Sequence, residues 1–244
     1  MGWYAVYTRE LLLMRKKIGK LGYVFSSVMF PIIYLFAFGM GLGSRLDVPG
    51  GYVPFLAKGI LGITVMTNSF QQTSLSASIS RLHFRTFQTL VLSPVSPLAT
   101  SLGLVLAGVT RGMLMGAMLY GIAWLLFDAP PLAATGIAGM ALAAFCFAAM
   151  GMAVGLWVSD PDEISLVNNF LITPMIFFCG SFFPLKNLPP AVAGVVGVLP
   201  LSLANSLVRT EVWNAAAVQN ALLLGAAGLL LLTGAVSMLR RYNE

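Results

Sequence analysis

Long apolar stretches follow one another along the chain, and short polar segments separate them. A helix needs about 20 mainly apolar residues to cross the hydrocarbon core of a bilayer. Six stretches meet that length, and the segments between them are too polar or too rich in proline to continue a lipid-facing helix. The pattern therefore predicts six transmembrane helices, over residues 21–43, 55–79, 98–127, 132–158, 164–183 and 215–239.

A seventh apolar segment, residues 191–208, is divided by Pro200. Its first part, residues 191–199, would span only about 14 Å at 1.5 Å per residue, which is too short for a crossing. We therefore expect residues 189–209 to form two short helices that enter the outer leaflet and return. Such re-entrant backbone is tolerated where protein or a wet cavity shields it. This extracytoplasmic re-entrant segment is assigned to residues 185–212.

Composition excludes a soluble or disordered chain. Hydrophobic residues make up 58% of the 244 residues and charged residues 9%, against roughly 25% charged residues in soluble domains. The polar surface is too small to coat a soluble body, and disordered chains are poor in apolar residues. The sequence predicts an all-α polytopic membrane protein with a single transmembrane domain over residues 1–244.

The positive charge of the chain is concentrated at its two ends. Five of the 14 Lys and Arg residues lie between Arg9 and Lys20, and Arg240 and Arg241 lie near the carboxyl end. Cytoplasmic flanks of membrane spans are enriched in Lys and Arg, so both termini are predicted to be cytoplasmic. An even number of crossings follows, in agreement with six. Orientation in the membrane explains the charge, and no nucleic-acid partner is predicted.

The first 20 residues are predicted to form an amphipathic helix at the membrane interface. At 3.6 residues per turn, their aromatic and apolar side chains fall on one face and several basic side chains on the other. An additional contact with a cytosolic partner is the alternative role for this surface. The face comprises Trp3, Tyr4, Tyr7, Leu11, Met14 and Ile18, and the predicted interfacial residues are Trp3, Arg9, Arg15, Lys16 and Lys17.

The second span is far more polar than lipid accepts. Unpartnered polar groups are costly in hydrocarbon, so this helix must face protein or water over much of its length. Hydrogen bonds between helices are one explanation. The other is that Asn68, Gln71 and Gln72 line a path for a substrate with hydroxyl or amide groups. Its polar residues are Thr64, Thr67, Asn68, Ser69, Gln71, Gln72, Thr73, Ser74, Ser76 and Ser78.

Charged side chains within the spans are scarce. Arg111 is the one deeply placed ion, for which a structural role is favoured over substrate contact, and Lys58 lies near enough to the outer boundary to extend into water. No Asp or Glu lies inside a predicted span, although ion-driven carriers commonly use buried carboxylates.

Polar motifs outside the spans do not predict catalysis. The segment 160–163 is predicted to start a helix, with Asp160 as the N-cap and Glu163 completing a capping box. No phosphate-binding glycine-rich loop is present, and His83 lacks triad partners and metal-ligand spacing. No catalytic residue, metal site or cofactor is predicted on this chain, and the two cysteines are expected to be packing residues.

Three elements of the sequence resemble the type-2 membrane subunits of ATP-binding-cassette (ABC) exporters. They are the polar second helix running into a cytosolic segment that ends LSP, the fifth helix followed by GSFFPLKNLPP, and LPLSLANSLVR before the sixth helix. Among branches of the family, FFCGSFFPLKNLPP looks most like the subunits that export lipo-oligosaccharide nodulation signals, with polysaccharide and drug exporters close behind.

The resemblance implies two cytosolic ATPase subunits, which would bind ATP and Mg²⁺, and a second permease copy, in a homodimer or close heterodimer. It further implies a coupling segment, residues 80–97, that docks into an ATPase groove. The coupling residues would be Arg81, His83, Arg85, Thr86, Phe87, Gln88, Leu92, Ser93 and Pro94. Gln88 stands where the family often has an acidic residue, and Lys58 stands where it often has proline.

The most favoured function is therefore an ATP-driven exporter permease in the bacterial cytoplasmic membrane. Its substrate would be an amphiphile such as a lipo-oligosaccharide, a lipid-linked glycan or a hydrophobic drug. There are two alternatives. One is a secondary carrier or channel, and the other is a membrane assembly subunit without transport. The residues predicted to line the translocation path are Thr64, Asn68, Gln71, Gln72, Phe177, Phe178 and Ser181.

Overall fold

Helices form all the regular structure in the described part of the chain. A computed structural model describes residues 2–18, 21–42, 48–82 and 95–241, and no strand occurs in these ranges. The helices are α1 (Gly2–Ile18), α2 (Leu21–Leu42), α3 (Tyr52–Leu82), α4 (Pro97–Phe127), α5 (Ala134–Trp157), α6 (Glu163–Phe178), α7 (Pro190–Gly197), α8 (Pro200–Arg209) and α9 (Ala215–Arg241), with a 3₁₀ turn at Leu185–Asn187.

Four of these helices are long and apolar enough to cross a membrane: α3, α4, α5 and α9. The pair α7 and α8 would add a fifth span if it were continuous, but its two helices meet at an angle of 88°. The apolar helices Met29–Gly41, within α2, and Glu163–Phe178 are shorter. The expectation of an all-α polytopic membrane protein is confirmed, whereas the count of six crossings remains a prediction.

Helix α3 lies at the centre of the bundle, between α4 and α5. In its most apolar 18-residue window, 72% of residues are buried within the chain. Glycines of α4 and α5 allow this close approach, because a Cβ added at Gly108 would lie 2.6 Å from Thr73 Cγ2 and one added at Gly112 would overlap Ser69 Oγ. Small residues that let helix backbones approach closely are typical of membrane interfaces. Glycine packing therefore holds the polar helix inside protein.

The polar side chains of α3 are satisfied largely by their own helix. Thr64 Oγ1 donates to Ile60 O at 2.9 Å, Asn68 Nδ2 donates to Thr64 O at 2.9 Å, and Thr73 Oγ1 donates to Ser69 O at 3.0 Å. Such bonds to the preceding turn are available to short polar side chains in any helix. They reduce the number of partners that these side chains need from other helices or from water.

The fifth predicted span is shorter than expected. Residues 164–183 were expected to be one helix, but α6 ends at Phe178 and contains a π-helical turn at Asn168–Ile172. Gly180 has a φ of +74°, the left-handed conformation that commonly ends a helix and favours glycine. Residues 179–184 therefore form a connection, and the predicted path residue Ser181 lies in it.

The start of α6 also differs from the prediction. Asp160 was expected to be the N-cap, but the helix begins at Glu163. A hydrogen-bonded turn precedes it, in which Glu163 N donates to Asp160 O, three residues earlier, at 3.0 Å. Glu163 Oε2 accepts from Ser159 N at 2.8 Å. The acidic residues therefore bond to local backbone, and no cluster with metal-ligand geometry occurs among the described residues.

Helix α1 packs against α4 with a face that overlaps the predicted interfacial face only in part, and the membrane-interface role of that predicted face remains a prediction. Val6, Glu10 and Met14 are 2%, 2% and 7% exposed, whereas Trp3 and Tyr4 are 44% and 60% exposed. The predicted apolar face was centred on Tyr7 and Leu11, so the packed face is rotated toward Glu10. Glu10 is buried because it accepts hydrogen bonds from side chains of α3. A count of apolar residues in α1 cannot predict these bonds.

Candidate functional site

Polar side chains gather at two places along α3. One group surrounds Gln72, and the other surrounds Ser181 near Gly59. Gly59 and Gln72 are separated by about 20 Å along the helix at 1.5 Å per residue. The site residues predicted from the sequence are thus divided between the two ends of the central helix.

The first group, the Gln72 cluster, consists of Glu10, Gln72, Ser76 and Arg111. Ser76 Oγ donates to Glu10 Oε2 at 2.6 Å, and Gln72 Nε2 lies 3.5 Å from the same oxygen. Arg111 Nη1 donates to Gln72 Oε1 at 2.9 Å. A continuous series of hydrogen bonds therefore joins α1, α3 and α4.

The Gln72 cluster is buried, so the loss of one of its members would lower the free energy of unfolding strongly. Glu10, Gln72 and Arg111 are 2%, 7% and 5% exposed. Arg9 Nη1 approaches Glu10 Oε1 at 3.5 Å, so both carboxylate oxygens have a donor nearby. Removing one member of a buried charged network leaves the others desolvated without compensation, which is strongly destabilising.

The second group, the Asn205 cluster, joins α8 to the connection after α6. Asn205 Nδ2 donates to Cys179 O and to Ser181 Oγ, each at 3.0 Å. Gly59 and Gly62 of α3 face this group so closely that an added Cβ would overlap Ser181 O or Asn205 Oδ1. Glycine at these two positions allows the connection and α8 to pack on the backbone of α3.

Arg209 and Tyr52 attach the same region to the first turn of α3. Arg209 Nη2 donates to Phe55 O at 3.3 Å, and its guanidinium carbon lies 3.6 Å from the centroid of the Phe55 ring. Tyr52 Oη donates to Phe182 O at 3.0 Å. The cation–π contact and the two hydrogen bonds fix the end of α8 and residue 182 relative to α3.

Aromatic rings connect α2 and α6 through Phe182. Its ring centroid lies 5.7 Å from Tyr34, 4.7 Å from Phe38 and 5.7 Å from Phe177. Phe177 and Phe178 remain 40% and 47% exposed. Part of this aromatic group is therefore open at the surface of the chain.

The predicted path residues differ in accessibility. Four are buried and have hydrogen bonds within the chain: Thr64, Asn68, Gln72 and Ser181. Gln71 is partly exposed, like Phe177 and Phe178. Ser181 and Gln72 lie in the separate clusters described above, so these residues do not form one contiguous site within a single chain.

Most of the predicted ATPase-coupling residues lie outside the described part of the chain. The interfacial residues are mostly accessible: Trp3, Arg15 and Lys16 are exposed, and Arg9 is 35% exposed. The side chain of Lys17 lies outside the description. Of the coupling residues, Arg81 has a described backbone, but its side chain is outside the description. The other coupling residues lie wholly outside the described ranges: His83, Arg85, Thr86, Phe87, Gln88, Leu92, Ser93 and Pro94.

Sequence reasoning did not select Glu10, Asn205 or Arg209 as site residues. Glu10 did carry a signal, because it is the single acidic residue in the first 46 and lies among five basic ones. At 100° per residue it also falls 40° from both Val6 and Met14, on a potential packing face. The roles of Asn205 and Arg209 arise from contacts with residues far away in sequence. No local sequence pattern indicates such contacts.

A bundle of apolar helices around a buried polar helix is an arrangement that a membrane transport protein can use. Comparison with known proteins identifies the family. Residues 2–212 match the family described as ABC-2 type transporter. The chain belongs to this family and is a membrane permease of an ABC transporter.

Relatives align over most of the chain. Nodulation protein J of Rhizobium leguminosarum bv. viciae is 30% identical over 220 residues, covering 86% of this chain and 81% of that protein. Nodulation protein J of Bradyrhizobium diazoefficiens is 30% identical over 237 residues, covering 92% and 86%. The inner membrane transport permease YadH of Escherichia coli K12 is 29% identical over 174 residues, covering 69% and 67%. These similarities support a multi-pass protein of the inner membrane.

Proposed function

We propose that this chain is the permease subunit of an ATP-driven exporter. Two copies form the translocation pathway and bind two cytosolic ATPase subunits, which hold ATP and Mg²⁺ and perform hydrolysis. The match of residues 2–212 to the ABC-2 family is the observation that carries the proposal. The permease contributes the pathway, and the ATPase subunits supply the energy.

The proposed topology has six crossings and two cytoplasmic termini. The crossing helices are α2, α3, α4, α5, α6 and α9, and α7 with α8 forms a re-entrant pair. The 88° angle between α7 and α8 supports this assignment, because α7 has eight residues and extends about 12 Å. Basic residues at the end of α9 and on α1 support a cytoplasmic location for both.

The exposed apolar surface of α2 and α6 is the evidence for a second permease copy. Phe30 and Met40 of α2 are 68% and 77% exposed, and Leu166 and Phe170 of α6 are 58% and 82% exposed. Large exposed apolar surface in a membrane helix contacts lipid or another helix. Since α6 also carries the polar Asn169 at an exposed position, which is unfavourable against lipid, we assign this surface to the interface between copies and to the pathway.

The proposed pathway begins with the accessible residues Gln71, Phe177 and Phe178, and extends to Thr64, Asn68, Gln72 and Ser181 when the two copies rearrange. Amide groups next to aromatic rings suit a substrate with a hydroxyl- or amide-bearing head and an apolar tail. A lipo-oligosaccharide, a lipid-linked glycan and a hydrophobic drug all have this amphiphilic character. The resemblance of FFCGSFFPLKNLPP to subunits that export lipo-oligosaccharide nodulation signals favours the first of these, and the similarity to Nodulation protein J agrees with that resemblance.

The segment 80–97 is proposed to connect the permease to the ATPase. It combines the basic residues Arg81 and Arg85 with the aromatic Phe87 between two membrane helices. On the proposed topology, this segment is cytosolic. Gln88 would then replace a charged contact with a neutral hydrogen bond.

The test is transport by proteoliposomes that contain the chain and its ATPase. Three fluorescent probes are compared: an acylated oligosaccharide, a polyprenyl-linked glycan and a hydrophobic cationic dye. We expect ATP-dependent accumulation of at least one probe, and no accumulation with an ATPase variant that binds ATP without hydrolysing it. Accumulation driven by a pH gradient without the ATPase would identify a carrier. Absence of any flux with the ATPase bound would identify an assembly subunit.

A further inference from the structure

Helix α1 is packed against the bundle along one of its faces. Val6, Glu10 and Met14 are buried at four-residue spacing, and Tyr7 Oη lies 3.0 Å from Thr110 Oγ1 of α4. A Cβ added at Gly103 of α4 would lie 2.7 Å from the Val6 side chain. The contacts of α1 are therefore with protein along one complete face.

Glu10 is the unusual member of this face. An apolar residue would pack there without desolvating a charge, and a buried carboxylate is costly unless it is paired and hydrogen-bonded. Glu10 is bonded to Ser76 at 2.6 Å, and through Gln72 it is linked to Arg111. Hydrogen bonds fix both distance and direction, which apolar contacts do not, so α1 is held in one position relative to α3 and α4.

We propose that Glu10 is a positioning residue that transmits movement of α1 to the middle of the bundle. When the ATPase subunits close and displace α1, the bonds from Glu10 to Ser76 and Gln72 carry α3 with it. Arg111 then carries α4. Packed side chains and hydrogen-bond networks that join rigid helices can carry energetic coupling between distant sites. The inference rests on the proposed function, because it requires an ATPase that moves α1.

The test uses the complete complex of permease and ATPase in lipid nanodiscs. A spin label is attached through Leu125→Cys, because Leu125 of α4 is 76% exposed and lies outside the surface of α2 and α6 assigned to the interface between copies, whereas the native Cys146 and Cys179 are buried. The distance between the two labels of the dimer is measured without nucleotide and after trapping with ATP and vanadate. The change in this distance reports whether nucleotide closure reaches the membrane helices.

Glu10→Gln removes the charge, Glu10→Ala removes the contacts, and Glu10→Asp keeps the carboxylate. We expect the first two complexes to hydrolyse ATP while the ratio of molecules at the nucleotide-trapped distance to molecules at the nucleotide-free distance falls about threefold or more, within the range of coupling energies carried by packed networks. Glu10→Asp should restore most of the change. Glu211→Gln is the matched control, because Glu211 is an exposed carboxylate outside the cluster, and it should leave the change intact.

A purely structural role for Glu10 predicts a lower melting temperature with an unaltered distance change in the complexes that assemble, and that result would overturn the proposal. If neither Glu10→Gln nor Glu10→Ala assembles, Ser76→Ala decides the question, since it removes only the 2.6 Å bond. A reduced distance change in Ser76→Ala supports the positioning role, and a full change contradicts it. If the unsubstituted complex lacks the ATPase or shows no response to ATP, the proposed function itself fails.

Discussion

Glycine at single positions decides whether the central polar helix can be enclosed by protein. Gly108 and Gly112 of α4 contact Thr73 and Ser69 of α3 with no space for a side chain. The hydroxyl groups of Thr64 and Thr73 bond to the preceding turn of α3 itself, so these two side chains need no polar partner on the helices packed against them. At the residue scale, the absence of a Cβ on α4 is as important as the polar groups on α3.

Gly112→Ala should destabilise the protein, because the new methyl group would overlap Ser69 Oγ and approach Val65 O at 2.9 Å. Overpacking of this kind costs about 1–3 kcal/mol, measurable as a lower thermal unfolding temperature in detergent. Gly121→Ala is the control on the same helix, since nothing lies within 4 Å of its added Cβ. Equal unfolding temperatures for the two variants would contradict the packing described for α3 and α4.

At the scale of elements, α6 and the connection after it bring the Asn205 cluster onto α3. The helix ends where Gly180 takes a φ of +74°, and the backbone then passes over Gly59. Asn205, Arg209 and Tyr52 each bond to main-chain carbonyl groups in this region. The position of the connection is therefore set mainly by hydrogen bonds to backbone.

Gly180→Ala is expected to loosen this connection. A left-handed backbone costs a residue with a side chain about 1–2 kcal/mol, and the added Cβ would also lie 3.1 Å from Leu185 Cγ. The measurement is thermal unfolding, together with the rate at which a thiol reagent labels Cys179, which is buried beside Gly180. Gly194→Ala in α7 serves as the comparison, since its added Cβ meets open space. Unchanged stability and labelling in Gly180→Ala would show that the connection does not depend on this conformation.

The sequence was informative about helices and less so about their contacts. The limits of α4 and α9 follow closely from apolar length and polar breaks, since both depend on local composition. The end of α6 was misplaced because Phe182 and Phe183 are apolar although they follow the Gly180 bend. The packing face of α1 was not predicted, because Glu10 is buried by bonds to residues more than 60 positions away. Hydropathy cannot report such pairings.

At the scale of the whole molecule, the described helices combine a closely packed centre with large exposed apolar surfaces. Helix α3 is packed between α4 and α5, and Phe30, Met40 and Phe170 of α2 and α6 are among the exposed apolar side chains. The proposed dimer requires a rigid body in each copy and a surface between the copies along which a substrate passes. Helix α1 and its buried Glu10 join the end of the chain to the rigid body.

The most direct test of the account is native mass spectrometry of the complex purified from its own membrane through a tag on this chain. The account predicts an assembly with two copies of the permease and two copies of an ATPase, which dissociates into permease and ATPase subunits on activation. A single permease copy, or a permease assembly that carries no ATPase and still accumulates a solute against its gradient after reconstitution, would contradict it.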